Sequence, residues 1–210
     1  MKSEKMWDNL AKKWDTPGVS LGEHDIELIE KTKKYLHDDV LVLDYGCATG
    51  SIVFAIAAMV KEAHGIDISS NMIEIAKTKQ SEGQLSNTRF FHGTIFSENL
   101  MPASYDLILA FSVLHLIDDF PQAVQRIHQL LKPGGLFISS GPCLGRRTFL
   151  NMLINAPIYL ASKIGILPHI NFFTQSGLVA MLTDAGFLIV EQNSTPDGVL
   201  LEQFIVTRKN

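Results

Sequence analysis

Residues Leu41-Val42-Leu43-Asp44-Tyr45-Gly46-Cys47-Ala48-Thr49-Gly50 constrain this chain more than any other stretch. A short apolar run meets an acid, and a turn bounded by glycines follows. Ser51 to Met59 is then apolar and alanine-rich, as a helix would be. The order strand, tight loop, helix leaves unpaired backbone N–H groups and partial positive charge at the helix start. Small residues in the loop let a ligand approach those groups. The stretch therefore predicts a site for the polar part of a nucleotide-like cofactor, with Asp44, Gly46, Cys47, Ala48 and Gly50 around it. It lacks the Lys-Ser/Thr pair of a Walker loop, and Ala48 and Val53 stand where a dinucleotide fingerprint needs glycine.

A second block supports the first. Ala63 to Ile68 reads as a strand ending in Asp67, and Ser69-Ser70-Asn71 caps a helix through Met72, Ile73, Ile75 and Ala76. An acid at the carboxyl end of a second strand can accept hydrogen bonds from both ribose hydroxyls. Ile68 and Met72 are candidates for an adenine slot or for ordinary core. Thr88 to Thr94 is a third strand and loop. Within Ser104 to Ile117 an apolar fourth strand ends near Ala110-Phe111, at the same sheet edge as Gly46 and Asp67 if the sheet is parallel. Leu131-Lys132-Pro133-Gly134-Gly135 turns into a fifth strand. Helices are expected over residues 3–14, 23–36, from Asp118-Asp119-Phe120-Pro121 onward, and over 174–185 with Gly186 as the stop. Ile26, Leu28, Ile29 and Tyr35 are the apolar contacts expected of the second. Phe187–Glu191 and Leu201–Thr207 read as the last strands.

The ordered series from about residue 7 to 207 resembles the class I S-adenosylmethionine-dependent methyltransferases. The strand-Asp-x-Gly-x-small-x-Gly loop is similar to their first motif, with Ala48 at the usual middle glycine. The Ser104–Ile117 string and Leu-Lys-Pro-Gly-Gly are similar to later ones. The resemblance implies one domain over residues 1–210: a Rossmann-like α/β fold of seven strands, mostly parallel, helices on both faces. An antiparallel last strand would insert between the fifth and sixth. It implies S-adenosyl-L-methionine as cofactor and S-adenosyl-L-homocysteine as product. The site set then includes Gly93, Thr94 (where the family often has an acid) and Ile95. The helix holding Trp7 and Trp14, within an N-terminal lid over 1–36, would pack on the domain or cover the cofactor with an indole near its sulfur.

Residues 142–173 break the alternation with an apolar stretch interrupted by Asn151, Asn155, Pro157 and Lys163. A pair of helices capping the substrate pocket is the first reading; a homodimer face or a membrane-surface contact are the others. The cap reading suggests a small apolar or aromatic acceptor. His115 is the candidate general base, by its side-chain type and position, and a structural histidine otherwise. Net charge of −4 without a basic block argues against nucleic acid. No metal-ligand cluster stands out, and no apolar run reaches the about 20 residues of a membrane span. Two cysteines and a start without a signal-peptide core fit a reduced, cytoplasmic protein. Competing functions are a non-catalytic S-adenosylmethionine-binding partner protein and a nicotinamide-dependent oxidoreductase.

Overall fold

The computed structural model describes residues 2–14, 21–145, 149–164, 167–197 and 200–210. In chain order the elements are α1 (Lys2–Trp14), α2 (Glu23–Thr32), β1 (Leu41–Tyr45), α3 (Ser51–Ile56), β2 (Glu62–Asp67), α4 (Ser70–Gly83), β3 (Thr88–His92) and β4 (Tyr105–Phe111). Then follow α5 (Phe120–Leu130), β5 (Leu131–Pro142), α6 (Phe149–Lys163), α7 (Gln175–Asp184), β6 (Phe187–Asp197) and β7 (Leu200–Lys209).

The seven strands form one sheet in the order β3-β2-β1-β4-β5-β7-β6. β1 to β5 pair in parallel, and β7 pairs antiparallel with both β5 and β6. The antiparallel strand inserted between the fifth and sixth is as expected. Chain order reverses at β1, where β1 lies between β2 and β4, so the loops leaving these strands open a crevice at their carboxyl ends.

Apolar alternation assigns the two faces. In β4, Leu107 and Leu109 join the core with Leu28, Ile29, Val53, Ile56 and Ile73. Ile108 and Ala110 join the opposite core with Phe120, Val124, Ile127, Leu178 and Leu182. Helices α2, α3 and α4 thus cover one face, and α5 and α7 the other. Caps fix three helix starts: Ser69 accepts from Met72 N–H, Asp119 from Gln122 N–H and Thr174 from Gly177 N–H.

Several expectations need correction. The second helix ends at Thr32 and continues as a 3-10 turn, and Ile26 is 46% exposed instead of buried. The helix after the glycine loop is only six residues before it tightens into a 3-10 turn at Ala57–Met59. Among the described residues 142–173 hold one helix, α6, followed by a non-helical stretch over 167–174, not a helix pair. Tyr159, Leu160, Ile164 and Leu167 there are exposed. Of that stretch, residues 146–148 and 165–166 lie outside the described residues. Among the described residues no helix is long and apolar enough to cross a membrane.

Candidate cofactor and acceptor site

The loop after β1 is held against β2 by backbone. Gly46 N–H and Cys47 N–H both donate to Ile66 C=O, at 2.8 and 3.2 Å, and Gly50 N–H closes the turn onto Cys47 C=O at 2.9 Å. Gly46 has φ +80°, and a Cβ there would stand 2.6 Å from a Val113 methyl carbon. Gly50 has φ +85°, and a Cβ there would meet the Phe90 ring at 2.7 Å. Both positions need glycine for conformation and for space. Ala48 takes φ 46° despite its Cβ.

This bend brings Ala48 beside Asp67. Ala48 N–H donates to Asp67 Oδ2 at 3.0 Å, and Ser69 N–H donates to Oδ1 at 2.8 Å. Burial raises the Asp67 pKa while these two N–H groups oppose it. Each oxygen keeps further acceptor capacity. Gly93 N–H donates to Asp67 C=O at 2.8 Å, so the loop after β3 joins the same corner.

A cavity of about 420 Å³ opens there, within the usual range for small-molecule sites. Of the residues expected at the site, Gly46, Ala48, Asp67, Ile68, Met72, Gly93, Thr94, Phe111, Trp7 and Trp14 lie in its wall. The other six do not. Asp44 is buried beneath the loop. Cys47 turns its thiol toward Gly65, Gly50 packs on Phe90, and Ile95 and Ala110 are core. His115 sits in the 3-10 turn Leu114–Leu116, with its ring against Gly141 and its carbonyl accepting Asn171 N–H at 2.7 Å. Leu116, one residue on, does line the cavity.

Sequence reasoning passed over Tyr45, Phe96, Ser112, Val113, Ile117 and Asp118, which complete much of the wall. Their signal was position: each lies within a few residues of the carboxyl end of a central strand or in the loop after β3.

Electrostatics divides the site. Burial, then Asp67 and Asp25, pushes Asp44 up to about 7. Burial, then Asp67 and Asp118, raises the Tyr45 phenol. Burial lowers His115 to about 4, so its imidazole is neutral at physiological pH. Among the described residues of the wall no side chain is cationic.

A half-buried acid with spare acceptor sites, an apolar slot at Ile68 and Met72, and an indole-bearing helix above fit a cofactor with a ribose and an aromatic base. The fold and this corner define a Rossmann-like α/β domain built around such a cofactor. Residues 36–170 match the methyltransferase domain family. The chain belongs to it, with the fold of the class I S-adenosylmethionine-dependent methyltransferases. It is 33% identical over 152 residues to the mitochondrial arginine-hydroxylase NDUFAF5 of Danio rerio, covering 70% of this chain and 44% of that protein. It is 28% identical over 190 residues to the ubiquinone biosynthesis O-methyltransferase of Leptothrix cholodnii, covering 86% and 80%. The YcgJ crystal structure from Bacillus subtilis superposes with a TM-score of 0.75 over 90% of this chain and 99% of that one, at 19% identity, which shows the fold. The chain spans about half the length of the first curated relatives it matches.

Proposed function

We propose that this protein transfers the methyl group of S-adenosylmethionine to a small, uncharged apolar or aromatic molecule. The observation that carries the reading is the Ala48–Asp67 contact in the wall of a cavity at the reversal point of the sheet. Asp67 would take the ribose hydroxyls, Ile68, Met72 and Thr94 would flank the base, and the Gly46–Ala48 bend would carry the amino-acid end. When bound, the cofactor supplies an electrophilic methyl on a sulfonium whose departure is intrinsically favourable. The chain's own task is to bind, align and exclude water.

Apolar groups from Trp7, Trp14, Phe96, Leu116 and Ile117 dominate the remaining wall and favour an apolar or aromatic acceptor. The lack of a cation among its described residues disfavours a phosphate- or carboxylate-bearing one. The relative in Leptothrix cholodnii, an O-methyltransferase of ubiquinone biosynthesis, agrees with such chemistry.

An acceptor hydroxyl must lose a proton. His115 is unprotonated above about pH 4, but it stands outside the wall. Asp118 stands in the wall and is the better candidate. Titration calorimetry should detect S-adenosylmethionine and S-adenosylhomocysteine but not NAD. Mass spectrometry over a panel of phenols and quinols should then detect a gain of one methyl. Binding of NAD alone would replace the reading with an oxidoreductase; binding without methylation of any acceptor would favour a non-catalytic role. On an active acceptor, Asp118→Asn should lower kcat at least about tenfold and His115→Ala should not. The reverse pattern would return the base role to His115.

A further inference from the structure

Helix α1 carries its function on one stripe. Ser3, Trp7 and Trp14 all line the cavity, at spacings of four and seven that place them on one helix face. The two indoles meet edge to face with centroids 6.0 Å apart. Directional polar contacts tie this helix to the start of α4, and Asp8 makes them. Its Oδ1 accepts Ser69 Oγ–H at 2.6 Å and Asn71 N–H at 3.2 Å, and its carbonyl accepts Asn71 Nδ2–H at 3.0 Å. The Ser69 hydroxyl bond, then Asn71 N–H, holds the Asp8 carboxyl below the usual carboxylate range.

Ser69 does not need Asp8 to cap α4. Its Oγ already accepts Met72 N–H at 3.2 Å, so Asp8 takes only the proton that Ser69 has left to donate. Meanwhile Ser69 N–H is committed to Asp67. One fully buried serine therefore joins the lid helix to the acid expected to hold the ribose. A second tether, Glu4 to His92 at 3.3 Å, is more exposed. We infer that Asp8 is the clasp of a cofactor lid: through Ser69 and Asn71 it sets α1 in the register that closes Trp7 and Trp14 over the cavity. The inference rests on the cofactor reading above. Asp8 is a positioning residue, one position from Trp7 and acting on the ligand only through the lid.

The chain's only two tryptophans are Trp7 and Trp14, so fluorescence excited selectively at tryptophan reports the lid. In the free full-length protein, acrylamide should quench Asp8→Ala markedly more than wild type, with Asp8→Asn in between because its amide oxygen still accepts. S-adenosylhomocysteine should protect wild-type fluorescence from acrylamide. Its dissociation constant should rise about tenfold in Asp8→Ala, the loss expected for a charge-assisted hydrogen bond. With an active acceptor the change should fall on the cofactor KM more than on kcat. Ser69→Ala and Asp8→Ala should be less than additive on binding, since they share one bond, while Ser69→Ala also loses the α4 cap. Wild-type quenching in Asp8→Ala, or weakened binding with unchanged quenching, would overturn the clasp. A wild type that ignores S-adenosylhomocysteine would overturn the cofactor reading instead, and quenching of the free proteins would still decide the lid.

Discussion

At Asp44 and His115 burial disfavours charge alike, and so moves the two pKa values in opposite directions. Asp44 is held up to about 7 from 3.8, and His115 down to about 4 from 6.5. For Asp44 the folded state binds its proton more tightly than the unfolded state does. Its contribution to stability is complete below about pH 4 and is lost as pH rises to about 7. For His115 the contribution is complete above about pH 6.5 and is lost as pH falls to about 4. Each is worth on the order of a few kcal/mol, and the windows overlap. The two slopes therefore oppose each other in the wild type, and single variants should unmask them. Relative to wild type, Asp44→Asn should gain thermal stability as pH rises from 4 to 7. His115→Gln should gain as pH falls from 6.5 to 4. Melting scans across that range would check both. A difference from wild type that stays flat with pH would show that the residue does not titrate in the buried place described here.

Among the elements, the joint between the β1 loop and β3 is the one most open to a clean test. Gly50 lies outside the cavity wall, so substituting it probes packing and backbone, not ligand contact. Gly50→Ala should lower unfolding free energy by about 2–3 kcal/mol, through the Phe90 contact and the left-handed backbone together. Adding Phe90→Leu should recover only part of that, because the backbone strain remains; urea titrations of the three variants would measure it. Full recovery would assign the loss to the ring alone. The same joint marks what could be read without coordinates. The glycine turn, Asp67 and the Ser69 cap were legible because each depends on neighbours within a few residues. The alternation that separates Leu107 and Leu109 from Ile108 and Ala110 was legible because a strand has period two. What escaped was decided between distant segments. The exposure of Ile26, the single helix in 142–173 and the placing of His115 behind the wall depend on which surfaces meet, and local pattern carries no record of that. Asp8 escaped for the same reason: its partners are 61 and 63 residues away.

For the molecule as a whole, the site sits where the two cores end, sharing Tyr45 and Ile117 with one and bordering the other at Phe111. It lies at the sheet edge where loops from β1, β2, β3 and β4 meet, and α1 closes it from outside. A ligand there touches parts of the chain from Trp7 to Asp118 at once, parts that must separate on unfolding. Binding should thus stabilise the entire fold by mass action instead of one loop. At a ligand concentration about 100 times its dissociation constant the gain is about 2.7 kcal/mol. For a chain of this size that moves the midpoint by about 5–10 °C. S-adenosylhomocysteine should produce that shift and NAD should not. Asp67→Ala should remove about half to nine-tenths of it, since losing a charge-assisted contact of about 1.5–3 kcal/mol leaves the same concentration at about eight times to about half the new dissociation constant. Asp8→Ala should retain a reduced shift, because the ribose acid survives while the lid is loosened. Scanning all three proteins with each ligand separates the roles. An Asp67→Ala variant that shifts as far as wild type would mean that the ligand sits elsewhere, and that the corner between the β1 bend and α4 has been given the wrong task.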